Sequence, residues 1–414
     1  MLRSLSLALL AVVAPVAAAA QTAIPAPMRP VLTQLERDNA WTLEQQVSIC
    51  EVAAPPFKEQ ARAAEYKRRL EALGLRNVRI DAVGNVIAER PGRSARPLLM
   101  IGGHLDTVFP EGTDVTVKKV DGEYRGPGIG DDCRGLAAIL AIVRAFEAAK
   151  LQTNGTIVFV ATVGKEGPGN LRGVRHLITK EYAGRVDQFV SVDGTGIGVT
   201  SRAVGSHRYT VRFKGPGGHS YGAFGMPNPI HAAGRAIAKI AELKVPATPK
   251  TTFSVGVISG GTSVNSIATE GVFDVDMRSE SADALQELDT QLRAALSAAL
   301  AEEKARWPES KKPLDLVIDT IGIRPADGRQ RDDAPIVLAA LNAARAVGRP
   351  IAKTDASSTD ANVPMALGIP AITVDAGGIG TGAHGSDERY SDGPDGYKGP
   401  QFIALLIAAL VGVR

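Results

Sequence analysis

The sequence predicts an α/β protein, a mostly parallel sheet flanked by helices, with a smaller α+β domain set into it. Three observations carry that expectation. Short apolar runs rich in Val, Ile and Phe alternate with helix-like stretches; several of these runs lead directly into His, Asp or Glu; and the stretch from about 204 to 320 breaks the rhythm. Alternation of buried strands and helices is the mark of a parallel sheet with covered faces. At 414 residues the chain is also roughly two to three times the usual domain size, so more than one domain is expected.

The elements follow in order. Val31–Ala53 and Glu59–Leu73 carry apolar residues at three- and four-residue spacing and read as helices, separated by Ala54-Pro55-Pro56. Leu98–Ile101, Ile157–Ala161, Phe189–Val192 and Ala371–Val374 read as buried strands, with a helix over Gly135–Ala149 among them. The inserted stretch gives a strand at His207–Lys214, a helix at Pro229–Leu243, and strands at Thr252–Ser259 and Gly271–Arg278. A long helix at Ala282–Arg306 and a strand at Leu314–Ile321 complete it. That βαββαβ order describes a ferredoxin-like sandwich with helices on one face of an antiparallel sheet. The α/β pattern resumes at Pro335–Val347. The expected organisation is therefore a leader over 1–20, a first core segment over 30–203, the insert over 204–320 and a second core segment over 321–414.

Composition removes several classes. Hydrophobic residues at 44% and charged residues at 22% exclude a disordered or fibrous chain. Lys and Arg number 47 against 44 Asp and Glu, a balance that excludes an electrostatic nucleic-acid binder. Residues 1–28 hold one charged group, Arg3, ahead of an apolar run from Leu5 to Ala20 that ends in small residues before Gln21. That is the layout of a secretory signal, so export to a periplasmic or extracellular space is expected. A membrane anchor is the competing reading, but the run falls short of the roughly 20 residues a span needs, and Pro15 interrupts it. No stable membrane span is expected after cleavage. Cys50 and Cys133 permit one disulfide, and the sequence leaves its formation open.

The polar residues after the apolar runs stand where ligand sites gather in open α/β sheets, outside the carboxyl ends of strands. Leu98–Ile101 leads to Gly-Gly-His104-Leu-Asp106, Ile157–Ala161 to Lys165-Glu166, Phe189–Val192 to Asp193, and Ala371–Val374 through a glycine-rich loop to His384. A fifth acidic site, Asp131-Asp132, opens the helix near Gly135. Singly each has a plain structural explanation: Asp at a helix start is usually an N-cap, and a loop histidine is usually solvated. Five such sites on one edge of one sheet suit metal binding. Two imidazoles and three carboxylates fit zinc. With Asp131 bridging, each of two ions would have three protein ligands and an open position for water, and a hydroxide could sit between the ions. Asp106, two residues beyond His104, is placed to accept the second ring N–H of that histidine.

With these residues in hand, the sequence resembles the zinc-dependent exopeptidase and amidohydrolase family of carboxypeptidase G, peptidase T, aminoacylase, acetylornithine deacetylase and succinyl-diaminopimelate desuccinylase. Gly-Gly-His104-Leu-Asp106-Thr-Val, Gly-Asp131-Asp132, Asp193-Gly, Gly217-Gly218-His219-Ser220, Gly260-Gly261-Thr-Ser-Val-Asn265, Asp276-Met-Arg278 and His384 occur in the family's order. The resemblance implies two zinc ions per chain, with cobalt or manganese as substitutes. His104 and Asp193 would hold one ion, Glu166 and His384 the other, and Asp131 both. It implies a cis peptide after Asp131 and a lid and dimerisation role for the insert, hence a homodimer. His219 would reach the partner subunit's site and stabilise an oxyanion. Asn265 and Arg278 would bind polar or carboxylate groups of a small peptide or N-acyl amino-acid substrate. The related zinc aminopeptidases share the metal core and lack the insert. His176, His207 and His231 fit no motif.

One position departs from the family. Its third motif carries two adjacent acids, the first a general base and the second a ligand; here the pair is Lys165-Glu166. An ammonium cannot take a proton from water, and losing general-base help costs about 10²–10⁴ in rate. The expectation is an exported dinuclear zinc hydrolase of peptide or N-acyl amide bonds, weakened at Lys165. The alternative is a zinc-containing homologue that binds such compounds without turning them over. Four states of Lys165 stay open: a depressed pKa, a side chain turned outward, a metal pair kept for binding alone, and an incidental change in an otherwise active enzyme.

Overall fold

The computed structural model describes residues 24–414, and the leader expected over 1–20 lies outside them. The large sheet has eight strands in the spatial order 76–80, 86–90, 156–162, 98–104, 188–192, 371–374, 199–203, 355–357. The middle four strands, 156–162 through 371–374, are mutually parallel. Their runs Leu98–His104 and Thr156–Thr162 are buried along nearly their whole length, as strands covered on both faces must be. Antiparallel pairs appear at the first two ladders and between 371–374 and 199–203.

Helix Cys133–Ala148 lies against this sheet and buries most of its residues. Asp132 caps it by accepting the Gly135 N–H at 3.1 Å, which supplies one of the donors a helix start leaves unpaired. Helices Met28–Arg37, Pro335–Ala346 and the apolar Lys398–Val411 complete the same core. The helix expected over Val31–Ala53 is two helices, Met28–Arg37 and Asn39–Cys50, parted at Asp38, which leaves helical ψ. Among the described residues, no helix is long and apolar enough to cross a membrane.

The small antiparallel sheet has the order 251–260, 270–279, 205–214, 315–324. Residues of Glu270–Ser279 alternate between buried and half-exposed, so one face is covered and the other open. Helices Pro229–Ala241 and Ala282–Ala305 cover the apolar face around Val211, Phe213 and Phe273. The open face carries Arg208, Asp276 and Arg278 and turns toward the large sheet, where Arg208 donates to the Gly167 carbonyl at 2.8 Å. The last strand runs to Arg324, three residues past the end read from the sequence.

Cys50 and Cys133 are bonded, joining the end of one helix to the start of another across 83 residues with their Cα atoms 5.5 Å apart. Cys133 adjoins Asp132, so the bridge anchors the loop that carries Asp131. Loop-closure entropy for such a span comes to about 4–5 kcal/mol, and native bridges typically contribute about 2–4. The double substitution Cys50→Ala, Cys133→Ala should lower the unfolding free energy by about 2–4 kcal/mol in urea titration. A loss below about 1 kcal/mol would mean that the bridge does not constrain the unfolded chain.

Candidate metal centre

The carboxyl ends of the central strands converge on five side chains. His104 is the last residue of its strand, Asp193 follows strand 188–192 directly, Glu166 stands in the loop after 156–162, and His384 in the loop between the short strands 379–381 and 389–391. Asp131 precedes the cap of helix Cys133–Ala148, and the Asp131-Asp132 peptide is cis. Two groups result: His104, Asp131 and Asp193, and Asp131, Glu166 and His384, each with its potential ligand atoms within 4.8 Å of one another. Asp131 belongs to both. Its Oδ1 lies 2.8 Å from His104 Nε2 and its Oδ2 lies 3.2 Å from His384 Nε2, one oxygen for each group.

The supporting contacts are specific. The backbone carbonyl of Asp106 accepts from His104 Nδ1 at 2.9 Å, which fixes the tautomer and leaves Nε2 facing Asp131. Here the geometry corrects the sequence reading: the Asp106 carboxylate is 3.7 Å from Nδ1 and takes a different pair of donors. It accepts the backbone N–H groups of Lys165 at 3.0 Å and Glu166 at 2.7 Å, so that it shapes the loop carrying those two residues. Asp132 accepts the His104 amide at 2.9 Å. A Cβ at position 103 would collide with that carboxylate, which accounts for the glycine before His104. His384 sits at φ 69°, a left-handed conformation rare for a residue with a side chain.

Lys165 turns inward. Its ammonium is 2.7 Å from Glu166, 3.1 Å from Asp193 and 3.4 Å from Asp131, with the side chain almost wholly buried. Burial works against its charge, but Asp131, Asp193 and Glu166 outweigh it and hold the pKa well above the ordinary lysine value. The side chain thus points into the ligand groups rather than outward. Glu166 is lowered despite its burial, chiefly by Lys165, and Asp131 and then Glu166 push His384 up to about 10. A cation entering these groups must therefore displace protons.

Three further residues were not singled out from the sequence. Glu388 accepts from the amides of Gly128, Gly130 and Asp131 and holds the Asp131 loop. Asp360, raised to about 6 by burial, accepts from Thr162 at 2.5 Å beneath the ligands. Arg324, at the end of the small sheet, is buried and donates to the Lys165 carbonyl. No sequence signal links these positions to their partners, which lie far along the chain. The remaining expected residues stand apart. His219 is exposed on a two-residue ladder with Ser266–Ile267 and belongs to neither ligand group. The neighbouring Ser220 amide donates to the Asn265 carbonyl at 2.9 Å, which brings the two motifs together. Arg278 pairs with Asp276 at 2.6 Å.

The five residues fit a divalent metal by their chemistry: imidazole nitrogen and carboxylate oxygen, gathered in two sets of three that share one member. Comparison with known proteins agrees. Residues 100–409 match the model of peptidase family M20/M25/M40, and the chain belongs to that family of metallopeptidases and amidohydrolases. A succinyl-diaminopimelate desuccinylase of Nitrosospira multiformis is 29% identical over 265 residues, 59% of this chain and 69% of that one. The enzyme of the same name from an Azoarcus species is 31% identical over 269 residues, with the same coverage. Among solved structures, human carnosine dipeptidase 1 superposes with a TM-score of 0.72 at 16% identity, covering 94% of this chain and 99% of its own. A dinuclear metal-binding peptidase of the M20 family from Bacillus subtilis gives 0.64 at 18%, covering 91% and 99%. At those identities the structures speak for the fold.

Proposed function

We propose that the protein is an exported hydrolase of a peptide or N-acyl amide bond in a small substrate, using two zinc ions held by His104, Asp131, Glu166, Asp193 and His384. The observation that carries this reading is the pair of three-residue groups sharing Asp131. Bound metal would supply Lewis acidity and an acidified water. The protein's own part is positional. The Asp106 carbonyl presents His104 Nε2, the Asp106 carboxylate sets the Lys165-Glu166 loop, and Glu388 fixes the Asp131 loop.

Substrate would lie between the ligands and the open face of the small sheet. A cavity of about 380 Å³ on the open face of that sheet is lined by Gly167, Arg208, Asp276 and Ile321. Arg278 and Asn265 are assigned to the substrate's polar or carboxylate groups, and His219 of a second copy to the oxyanion, in a homodimer formed through the small domain. Relatives named for removal of a succinyl group favour an N-acyl amino acid as substrate. The Cys50–Cys133 bond supports export, since such bonds persist in oxidising compartments.

The test is a panel of dipeptides and N-acyl amino acids, N-succinyl compounds included, incubated with zinc-loaded protein. Slow turnover abolished by chelator is expected. Saturable binding without turnover by wild type, with or without added zinc, would instead establish the second reading, a homologue that binds such compounds. Lys165 among the ligands is what favours that one.

A further inference from the structure

We propose that Lys165 is a built-in counter-ion competing with divalent metal, so that the chain holds one ion tightly and accepts a second only when the lysine withdraws. The inference rests on the metal-hydrolase reading above. Its basis is where the ammonium stands. Nζ contacts Asp193 from the first ligand group at 3.1 Å, Glu166 from the second at 2.7 Å, and the shared Asp131 at 3.4 Å. It takes up at least one oxygen of each of the three acids that two ions would share.

The lysine is also held there. Its backbone N–H donates to Asp106 at 3.0 Å, its carbonyl accepts from Arg324, and the next residue's amide donates to the same Asp106 carboxylate at 2.7 Å. The backbone is pinned on both sides, so with the two domains as they stand it is side-chain rotation that removes the ammonium from the ligands. Charge counting gives the same answer. Asp131, Glu166 and Asp193 contribute three negative charges, which the ammonium and one divalent ion neutralise. A second divalent ion beside the ammonium leaves two uncompensated positive charges in a mostly buried site, where repulsion is weakly screened. A neutral side chain of similar length at 165 removes both the competition for oxygens and the excess charge.

The full-length protein, stripped with chelator, is titrated with zinc; ions retained after desalting are counted by mass spectrometry, and affinities are measured by calorimetry. Wild type should retain one ion per chain, with a second dissociation constant at least about 100-fold weaker than the first. Lys165→Met should retain two, its second site tightened about tenfold or more. Lys165→Gln repeats the test with a polar replacement. The metal-free variants should also melt below metal-free wild type and recover on zinc addition, because three carboxylates have lost their counter-ion. Two ions retained by wild type at affinities within tenfold of each other overturn the proposal, even if no variant folds. One ion retained by wild type and both variants alike overturns it too, since the lysine is then not the cause. No uptake by any of the three removes the metal-hydrolase reading itself, a different failure from two ions in wild type.

Discussion

Zinc-loaded Lys165→Glu is expected to turn over whichever N-acyl amino acid or dipeptide proves to be a substrate about 10²–10⁴-fold faster than wild type, measured as kcat/KM. The size follows from what a carboxylate can do at that point and an ammonium cannot. With its backbone set by Asp106 and Arg324, residue 165 delivers the end of its side chain to within 2.7–3.4 Å of Glu166, Asp193 and Asp131. A carboxylate delivered there is placed to take a proton from water and return it to the leaving amine. The lysine instead offers a charge that repels the cations on which the reaction depends. The substitution therefore acts twice, by adding a base and by removing a competing positive charge. Lys165→Met separates the two, because it removes the charge without adding a base and should recover only part of the gain. A Lys165→Glu variant that folds, takes up zinc and is no faster than wild type would show that position 165 has no part in proton transfer.

Asp131→Ala is expected to abolish both zinc uptake and turnover, with activity down by more than the roughly 10–100-fold typical of residues that only support a metal's ligands. Each oxygen of Asp131 serves a different ligand group, so its loss leaves two-member sets on both sides. The control is Asp387→Ala, an exposed acid near His384 that belongs to neither group. Uptake and activity there should match wild type. If Asp131→Ala retained its zinc in metal analysis, the two groups would not form one shared centre.

The fold was legible where hydrophobic pattern and topology agree. The central strands read as apolar runs because both faces are covered, and the βαββαβ insert read cleanly because one face of its sheet is buried and the other is not. The candidate ligand positions came from the same logic, four after apolar runs and Asp131 at a helix start, and the structure brings His104, Asp131, Glu166, Asp193 and His384 together. The four-stranded sheet of 118–120, 123–125, 379–381 and 389–391 was not legible. Its strands are three residues long, too short for any periodicity to show. The break at Asp38 was hidden because the apolar spacing continues across it. The direction of Lys165 could not be read either. A lysine beside a ligand points outward unless carboxylates from other segments, here Asp131 and Asp193, converge on it, and that convergence exists only in three dimensions.

The bonds from Arg208 to the Gly167 carbonyl and from Arg324 to the Lys165 carbonyl cross from the small sheet to the loop that carries Glu166. Arg175 crosses in the other direction, to the Ile323 carbonyl. These three stitches gear the two bodies together. A swing of the small domain that kept them would drag the Lys165–Gly167 segment along and pull Glu166 away from Asp131. A swing that broke them would free the segment but leave the buried Arg324 guanidinium without that acceptor. Any such swing would therefore couple access to the open face of the small sheet with the spacing of Glu166 and Asp131.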